Sequence, residues 1–228
     1  MKYKWVLLDA DGTLFDYDRA EQYALERALQ DFDLAFDQAT IGTYRRINGA
    51  LWLDFEAGKV EVDRLKVLRF ERLLAALNAG DVDPARFSTV YLGHLGECAA
   101  LIDGAARVVR ALRARTHLAL ITNGLKEVQR SRLAKSQLEP FFEAVIISDE
   151  VGIAKPDPGI FDVAFLRMGE PDRSEVLIVG DSLTSDMKGG YDYGIDTCWF
   201  NPNHAPREPQ IDTRYEIDTL GALLTIVT

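Results

Sequence analysis

The stretch Tyr3-Lys4-Trp5-Val6-Leu7-Leu8-Asp9-Ala10-Asp11-Gly12-Thr13-Leu14 decides the fold. Its first half is a short apolar run, partly aromatic or β-branched, that stops at an Asp/Gly cluster. That pattern predicts a buried strand running into a loop. From Asp18 to about Ala100 the pattern changes to helical spacing. Asp18 with Glu21 predicts a capping-box start, followed by Leu25, Ala28, Leu29 and Phe32 at helical intervals. Leu65, Leu68, Leu73 and Leu77 keep the period in a segment beginning near Asp63, and Gly58 and Asn78-Ala79-Gly80 mark helix ends. No strand pattern interrupts this region, which predicts an all-helical module.

After Asp103-Gly104, strand and helix alternate. Strands are expected at residues 117–121, 144–147, 176–179 and 197–200, and helices at 125–138, about 159–168, about 182–191 and 218–224. Such alternation predicts an α/β fold with a parallel sheet covered on both faces. The expected division is a core of residues 1–16 and 101–228 and an inserted helical cap at 17–100. The cap is expected over the C-terminal edge of the sheet, where open α/β sheets bind ligands. Residues 201–209 read as a surface loop.

With 228 residues, 47% hydrophobic and 27% charged, the composition is that of a globular protein. A net charge of −10 speaks against a nucleic-acid polymer or an anionic membrane as partner. A small phosphorylated substrate stays open, because a bound metal and local cations reverse the field inside one site. Cys98 and Cys198 form no CxxC pair, which predicts a reducing, cytoplasmic setting. His94, His117 and His204 lack metal-ligand spacing, and the Trp5–Leu8 run is far too short for a signal peptide or membrane span.

Four polar clusters follow four predicted strands: Asp9-Ala10-Asp11-Gly12-Thr13-Leu14, Thr122-Asn123-Gly124, Lys155-Pro156-Asp157-Pro158, and Gly180-Asp181-Ser182-Leu183-Thr184-Ser185-Asp186. In a parallel sheet all four reach the same edge. Carboxylates about 4 Å apart repel by roughly 4 kcal/mol per pair at an effective dielectric near 20. A divalent cation removes that cost, and an all-oxygen donor set suits Mg²⁺. Asp9 can attack phosphorus to form an aspartyl-phosphate, and Asp11, two residues on, can give and take the proton. Gly12 allows a tight turn and close backbone approach. Thr122 and the N–H groups of Asn123 and Gly124 can hold phosphate oxygens at a helix N-terminus, with Lys155 as fixed positive charge. Asp181 would bind the metal, with Asp186 one turn behind it. Taken singly, Thr-Asn-Gly reads as a turn, Lys-Pro-Asp-Pro as a loop and Gly-Asp-Ser as a helix cap. The ordered set of four carries the reading.

These residues resemble the haloacid dehalogenase (HAD) superfamily, whose four motifs match Asp9/Asp11, Thr122, Lys155 and Asp181/Asp186 across essentially the whole chain. The resemblance implies a Rossmann-like core, a helical cap after the first motif, and Mg²⁺ held by Asp9, the Asp11 backbone carbonyl and Asp181. Dehalogenating members lack the second aspartate, so Asp11 implies phosphoryl transfer. Asp9 through Asp18 with Ala20-Glu21, and Leu51-Trp52, Phe55-Glu56 and Gly58, are similar to the bacterial pyrimidine 5′-nucleotidase branch, although members often carry an acidic residue at the Gly12 position. That branch implies a nucleoside monophosphate substrate. Tyr17, Trp52, Arg45, Tyr44 and Phe55 are candidate base contacts, against the alternative that Trp52 and Phe55, three residues apart, belong to the cap's core. A phosphoglycolate or sugar-phosphate phosphatase, a phosphomutase and a non-catalytic binding module share the motifs. The expected assembly is a monomer or homodimer.

Overall fold

The computed structural model describes residues 2–207 and 211–227. In chain order the elements are β1 (Trp5–Leu8), α1 (Tyr17–Asp31), α2 (Gln38–Glu56), α3 (Val62–Ala76), α4 (Pro84–Glu97) and α5 (Ala105–Arg113). They continue with β2 (His117–Thr122), α6 (Lys126–Ser136), β3 (Ala144–Ile147), α7 (Ser148–Val151), α8 (Pro158–Met168) and β4 (Val176–Gly180). A π-helical turn (Leu183–Met187) leads into α9 (Lys188–Tyr193), then β5 (Asp196–Phe200), β6 (Tyr215–Ile217) and α10 (Leu223–Ile226). The chain forms two compact units, Met1–Tyr17 with Ala99–Thr228, and Asp18–Cys98.

The first unit is built on a six-stranded sheet of order β3-β2-β1-β4-β5-β6, with every pair parallel. This is the Rossmann-type order. Strands buried on both faces read as continuous apolar runs rather than alternating ones, as Trp5-Val6-Leu7-Leu8 and Val176-Leu177-Ile178-Val179 do. Alternate residues still divide between faces. Val6, Leu8, Leu118, Leu120, Leu177 and Val179 join the core that includes α5 and α10, whereas Leu7, Ala119, Ile121, Ile146 and Ile178 pack with α8. β1 is hydrogen-bonded to β2 on one side and β4 on the other, with Leu8 level with both Leu120 and Val179. The strand order reverses between β1 and β4, and at such switch points the loops leave a crevice at the C-terminal edge.

The second unit is helical. Tyr44 stacks on Phe70 with ring centroids 5.6 Å apart, and Phe70, Phe87 and Tyr91 complete its aromatic centre. Ends marked in the sequence recur in the backbone: Gly58 and Asn78 both adopt positive φ just past α2 and α3. Among the described residues no helix is long and apolar enough to cross a membrane.

Several expectations need correction. α1 begins at Tyr17, and Glu21 does not reach back to form a capping box. Its buried carboxylate accepts from Arg45 Nε at 2.7 Å and Asn48 Nδ2 at 3.4 Å. The helix expected over 182–191 is a π-helical turn joined to the shorter α9. The closing helix expected over 218–224 shrinks to a 3₁₀ turn (Leu220–Ala222) and one turn of α-helix. The edge strand β6 was not anticipated, because three residues are too few to set a period. Of the expected surface loop, residues 201–207 form no regular element, and Glu208 and Pro209 lie outside the described residues.

Candidate active site

Asp9 is the first residue beyond β1, and its N–H donates to the Val179 carbonyl at 2.9 Å, which ties it to β4. Thr122 ends β2, and Asp181 follows β4 directly. Lys155 arrives from the β3 side by a longer route, after α7 and before α8. The parallel sheet thus brings the four clusters to one edge.

Lys155 is 1% exposed and gives one N–H each to Asp9 Oδ1 (2.7 Å), Asp186 Oδ1 (2.5 Å) and the Ile121 carbonyl (2.9 Å). Its three donors are therefore all engaged, and its first task is to hold Asp9 and Asp186. Burial on its own would lower the lysine's proton affinity, but Asp186 and Asp9 more than offset this and hold it above the ordinary range. Burial raises Asp9 to about 7, against the pull of Lys155 and with the help of Asp186 and Asp11. Asp186 is fixed further by the Ser182 N–H, which donates to Oδ2 at 3.1 Å.

Asp9, Asp181 and Asp186 each present a carboxylate oxygen within 4.8 Å of the others, two of them buried and Asp181 exposed. With all three carboxylates ionised, one ammonium leaves two negative charges, which a divalent cation would cancel. The donor set is all oxygen, as a hard cation requires. Gly12 makes room for it: with φ +78°, an added Cβ would lie 2.3 Å from Asp181 Oδ2. Asp181 is steadied by Trp199, whose Nε1 donates to its carbonyl at 2.9 Å, and by Thr13, whose Oγ1 lies 3.5 Å from Oδ1.

The residues of the Thr122-Asn123-Gly124 cluster have local duties. Thr122 is buried and its Oγ1 accepts the Gly124 N–H at 3.1 Å. Asn123 clamps Lys155 through two backbone bonds, donating from Nδ2 to its carbonyl and accepting its N–H at Oδ1, each 2.8 Å. Asp11 is not part of the carboxylate cluster; its side chain turns to Gln129 and Arg132 on α6. Neither partner, nor Trp199 or Thr13, stood out in the sequence. The signal present was the stripe Leu125, Gln129, Arg132, four and then three residues apart, where polar side chains occupy helix positions that face inward.

Of the candidate base contacts, Tyr44 is fully buried in the helical unit and is corrected to a core residue, since its ring has no accessible face. Arg45 is paired with Glu21 and Asp18. Trp52 and Phe55 are half-buried and meet edge to face, 5.5 Å between centroids, so they line the margin of that unit rather than its centre. Tyr17 is half-buried at the start of α1. His94 pairs with Asp31 and His117 with Glu143, outside the carboxylate cluster.

A buried aspartate held by a buried lysine, with two further carboxylates beside it at the switch point of a parallel sheet, is the arrangement the four motifs lead one to expect. The model of the haloacid dehalogenase-like hydrolases matches residues 3–194, and the chain belongs to that family. It is 34% identical over 223 residues to the pyrimidine 5′-nucleotidase YjjG of Escherichia coli K12, spanning 98% of this chain and 97% of that one. It is 35% identical to the pyrimidine 5′-nucleotidase PynA of Streptococcus pneumoniae R6, over 98% and 94% of the two chains. Its fold matches the HAD-hydrolase YfnB of Bacillus subtilis with a TM-score of 0.95 and 36% identity over all of both chains; that crystal structure is described as bound to magnesium and as revealing interdomain movement. The resemblance read from the four motifs is therefore borne out at the level of family.

Proposed function

We propose that the protein is a Mg²⁺-dependent phosphomonoester hydrolase that acts through an aspartyl-phosphate on Asp9, with nucleoside 5′-monophosphates, pyrimidine ones foremost, as substrates. The observation that carries the reading is Asp9 held by Lys155 beside Asp181 and Asp186, three clustered carboxylates to one ammonium. The names of the relatives support the substrate class. The two unbridged cysteines suit a cytoplasmic setting.

Asp9 attacks phosphorus, the bond to the leaving oxygen breaks, and Asp11 delivers a proton to that oxygen. Asp11 then takes a proton from water as the water attacks the phosphoryl group, and Asp9 is released with inorganic phosphate. Lys155 keeps Asp9 in place and offsets the charge that builds around it. Thr122 and the loop N–H groups that follow it hold the phosphate oxygens. A Mg²⁺ bound by Asp9, the Asp11 carbonyl and Asp181 would screen phosphate from carboxylate and so allow their approach.

The test is phosphate release from nucleoside monophosphates, sugar phosphates and phosphoglycolate, with Mg²⁺ or chelator, beside an Asp9→Asn variant. The expected result is Mg²⁺-dependent release led by pyrimidine monophosphates and abolished by Asp9→Asn. Release led by sugar phosphates discards the nucleotidase reading and keeps the mechanism. Wild-type turnover by Asp9→Asn would sink the mechanism.

A further inference from the structure

Asp11 is held by two side chains from one helix. Gln129 Nε2 donates to Asp11 Oδ2, and Arg132 Nη1 donates to Oδ1. The two partners stand three residues apart on α6 and share a face. Both are fully buried, while the Asp11 side chain keeps 26% of its exposure, so the carboxyl is gripped from the protein side and open on the other. Two further features fix the grip. The Arg132 guanidinium lies over the Phe15 ring at 4.5 Å, which orients its plane. Gly124, at the turn leading into α6, leaves the space that Gln129 occupies; a Cβ there would lie 2.1 Å from Gln129 Nε2.

Packing alone does not account for this arrangement. A buried arginine with one charged partner contributes no more stability than an apolar side chain of similar volume. Here Arg132 Nε and Nη2 and Gln129 Oε1 also find no hydrogen-bond partner among the described residues. What the pair does supply is one donor for each oxygen of Asp11, which fixes the plane of the carboxyl and its rotamer.

We propose that Gln129 and Arg132 are positioning residues that aim the Asp11 carboxyl at the leaving-group oxygen. The inference rests on the reading of Asp11 as the proton-transfer group. General acid help matters for a poor leaving group such as a nucleoside 5′-alkoxide and little for a good one such as p-nitrophenolate. Misaiming the acid therefore lowers kcat/KM selectively, and kcat/KM reports the step in which that bond breaks.

The experiment measures kcat/KM for a pyrimidine nucleoside monophosphate and for p-nitrophenyl phosphate, in saturating Mg²⁺. The proteins are wild type, Asp11→Asn, Gln129→Met, Arg132→Met and Arg132→Lys, with circular dichroism and melting curves for each. The expected loss for Arg132→Met and Gln129→Met is roughly 10- to 100-fold on the nucleotide and less than about 5-fold on the aryl phosphate, a fraction of the roughly 100- to 10,000-fold that a positioned general acid supplies. Arg132→Lys, which keeps a donor, recovers part of the loss. Equal losses on both substrates, with Asp11→Asn selective, overturn the inference and leave the role of Asp11 standing. Equal losses in Asp11→Asn itself overturn that role, and the inference with it. If Arg132→Met does not fold, Gln129→Met and Arg132→Lys decide the matter on the same ratio.

Discussion

Lys155 gives all three of its N–H groups to buried or carbonyl oxygens, so removing its charge leaves Asp9 and Asp186 facing each other without compensation. Breaking a buried pair from one side costs about 3–5 kcal/mol. Lys155→Met should therefore lower the melting temperature by roughly 10 °C, given about 2–4 °C per kcal/mol for chains of this size. Adding Asp186→Asn should restore part of the loss, because the two sites are in contact and do not add. Melting curves of the single and double variants check this; equal melting of Lys155→Met and wild type would mean the carboxylates are already protonated or solvated. At Gly12 a side chain meets both a positive φ and the Asp181 carboxylate 2.3 Å away. In Gly12→Ala the loop should relax out of its left-handed turn, and rebuilding that turn in the transition state, at about 1–2 kcal/mol, should cost roughly tenfold in kcat/KM and require more Mg²⁺. Unchanged kinetics would show that the loop reshapes freely. Asp9, Thr122 and Asp181 were legible because each ends or directly follows an apolar run that reads as a strand, and Lys155 because its Lys-Pro-Asp-Pro cluster completes the ordered set of four. Gln129 and Arg132 were not, because their partner Asp11 lies 118 and 121 residues away, a separation that no local pattern encodes.

At the scale of elements, periodicity found the strands that carry several apolar residues in a row, and β3 matches its expected bounds at both ends. It failed where an element is too short for a period to form, as in β6, or where packing reshapes a helix, as in the π-helical turn that brings Asp186 under Lys155. Within the all-helical module the bounds of α4 go undrawn, although Asp83-Pro84 is an N-cap followed by proline at the first turn, and Asp83 accepts the Ala85 N–H at 3.0 Å. Asp18 and Glu21 misled, since a glutamate near a helix start serves a cap in one context and a buried ion pair in another. That ion pair carries a pH signature. Burial raises the proton affinity of Glu21, and Arg45, itself 43% exposed, offsets this only in part. A carboxyl raised on folding contributes stability below the ordinary glutamate range and loses it as pH rises through the raised value. Wild type should therefore lose melting temperature relative to Glu21→Gln as the pH is taken from about 4 upward. The opposite slope would mean that the Arg45 pair outweighs burial.

Across the whole molecule, a net charge of −10 repels a phosphate dianion, so a productive site must correct its own field locally. The sheet order makes this feasible. Placing β1 between β2 and β4 puts Asp9 beside Asp181 at the reversal point, and the β3 connection brings Lys155 to the same place. One lysine against three carboxylates still leaves the cluster two charges negative, and that deficit is the reason to expect a large response to a divalent cation. A ligand that binds only the folded state at a hundred times its Kd adds about 2.7 kcal/mol. Saturating Mg²⁺ should thus raise the melting temperature by roughly 5–10 °C, and chelator should reverse it. Asp181→Asn removes the exposed donor without disturbing the Lys155 contacts, so it should fold normally and lose most of the Mg²⁺ gain. A melting temperature indifferent to Mg²⁺ in the wild type would mean that the cluster is balanced by protons, with Asp9 keeping its own at neutral pH. The same site would then need another source of positive charge to receive a phosphate.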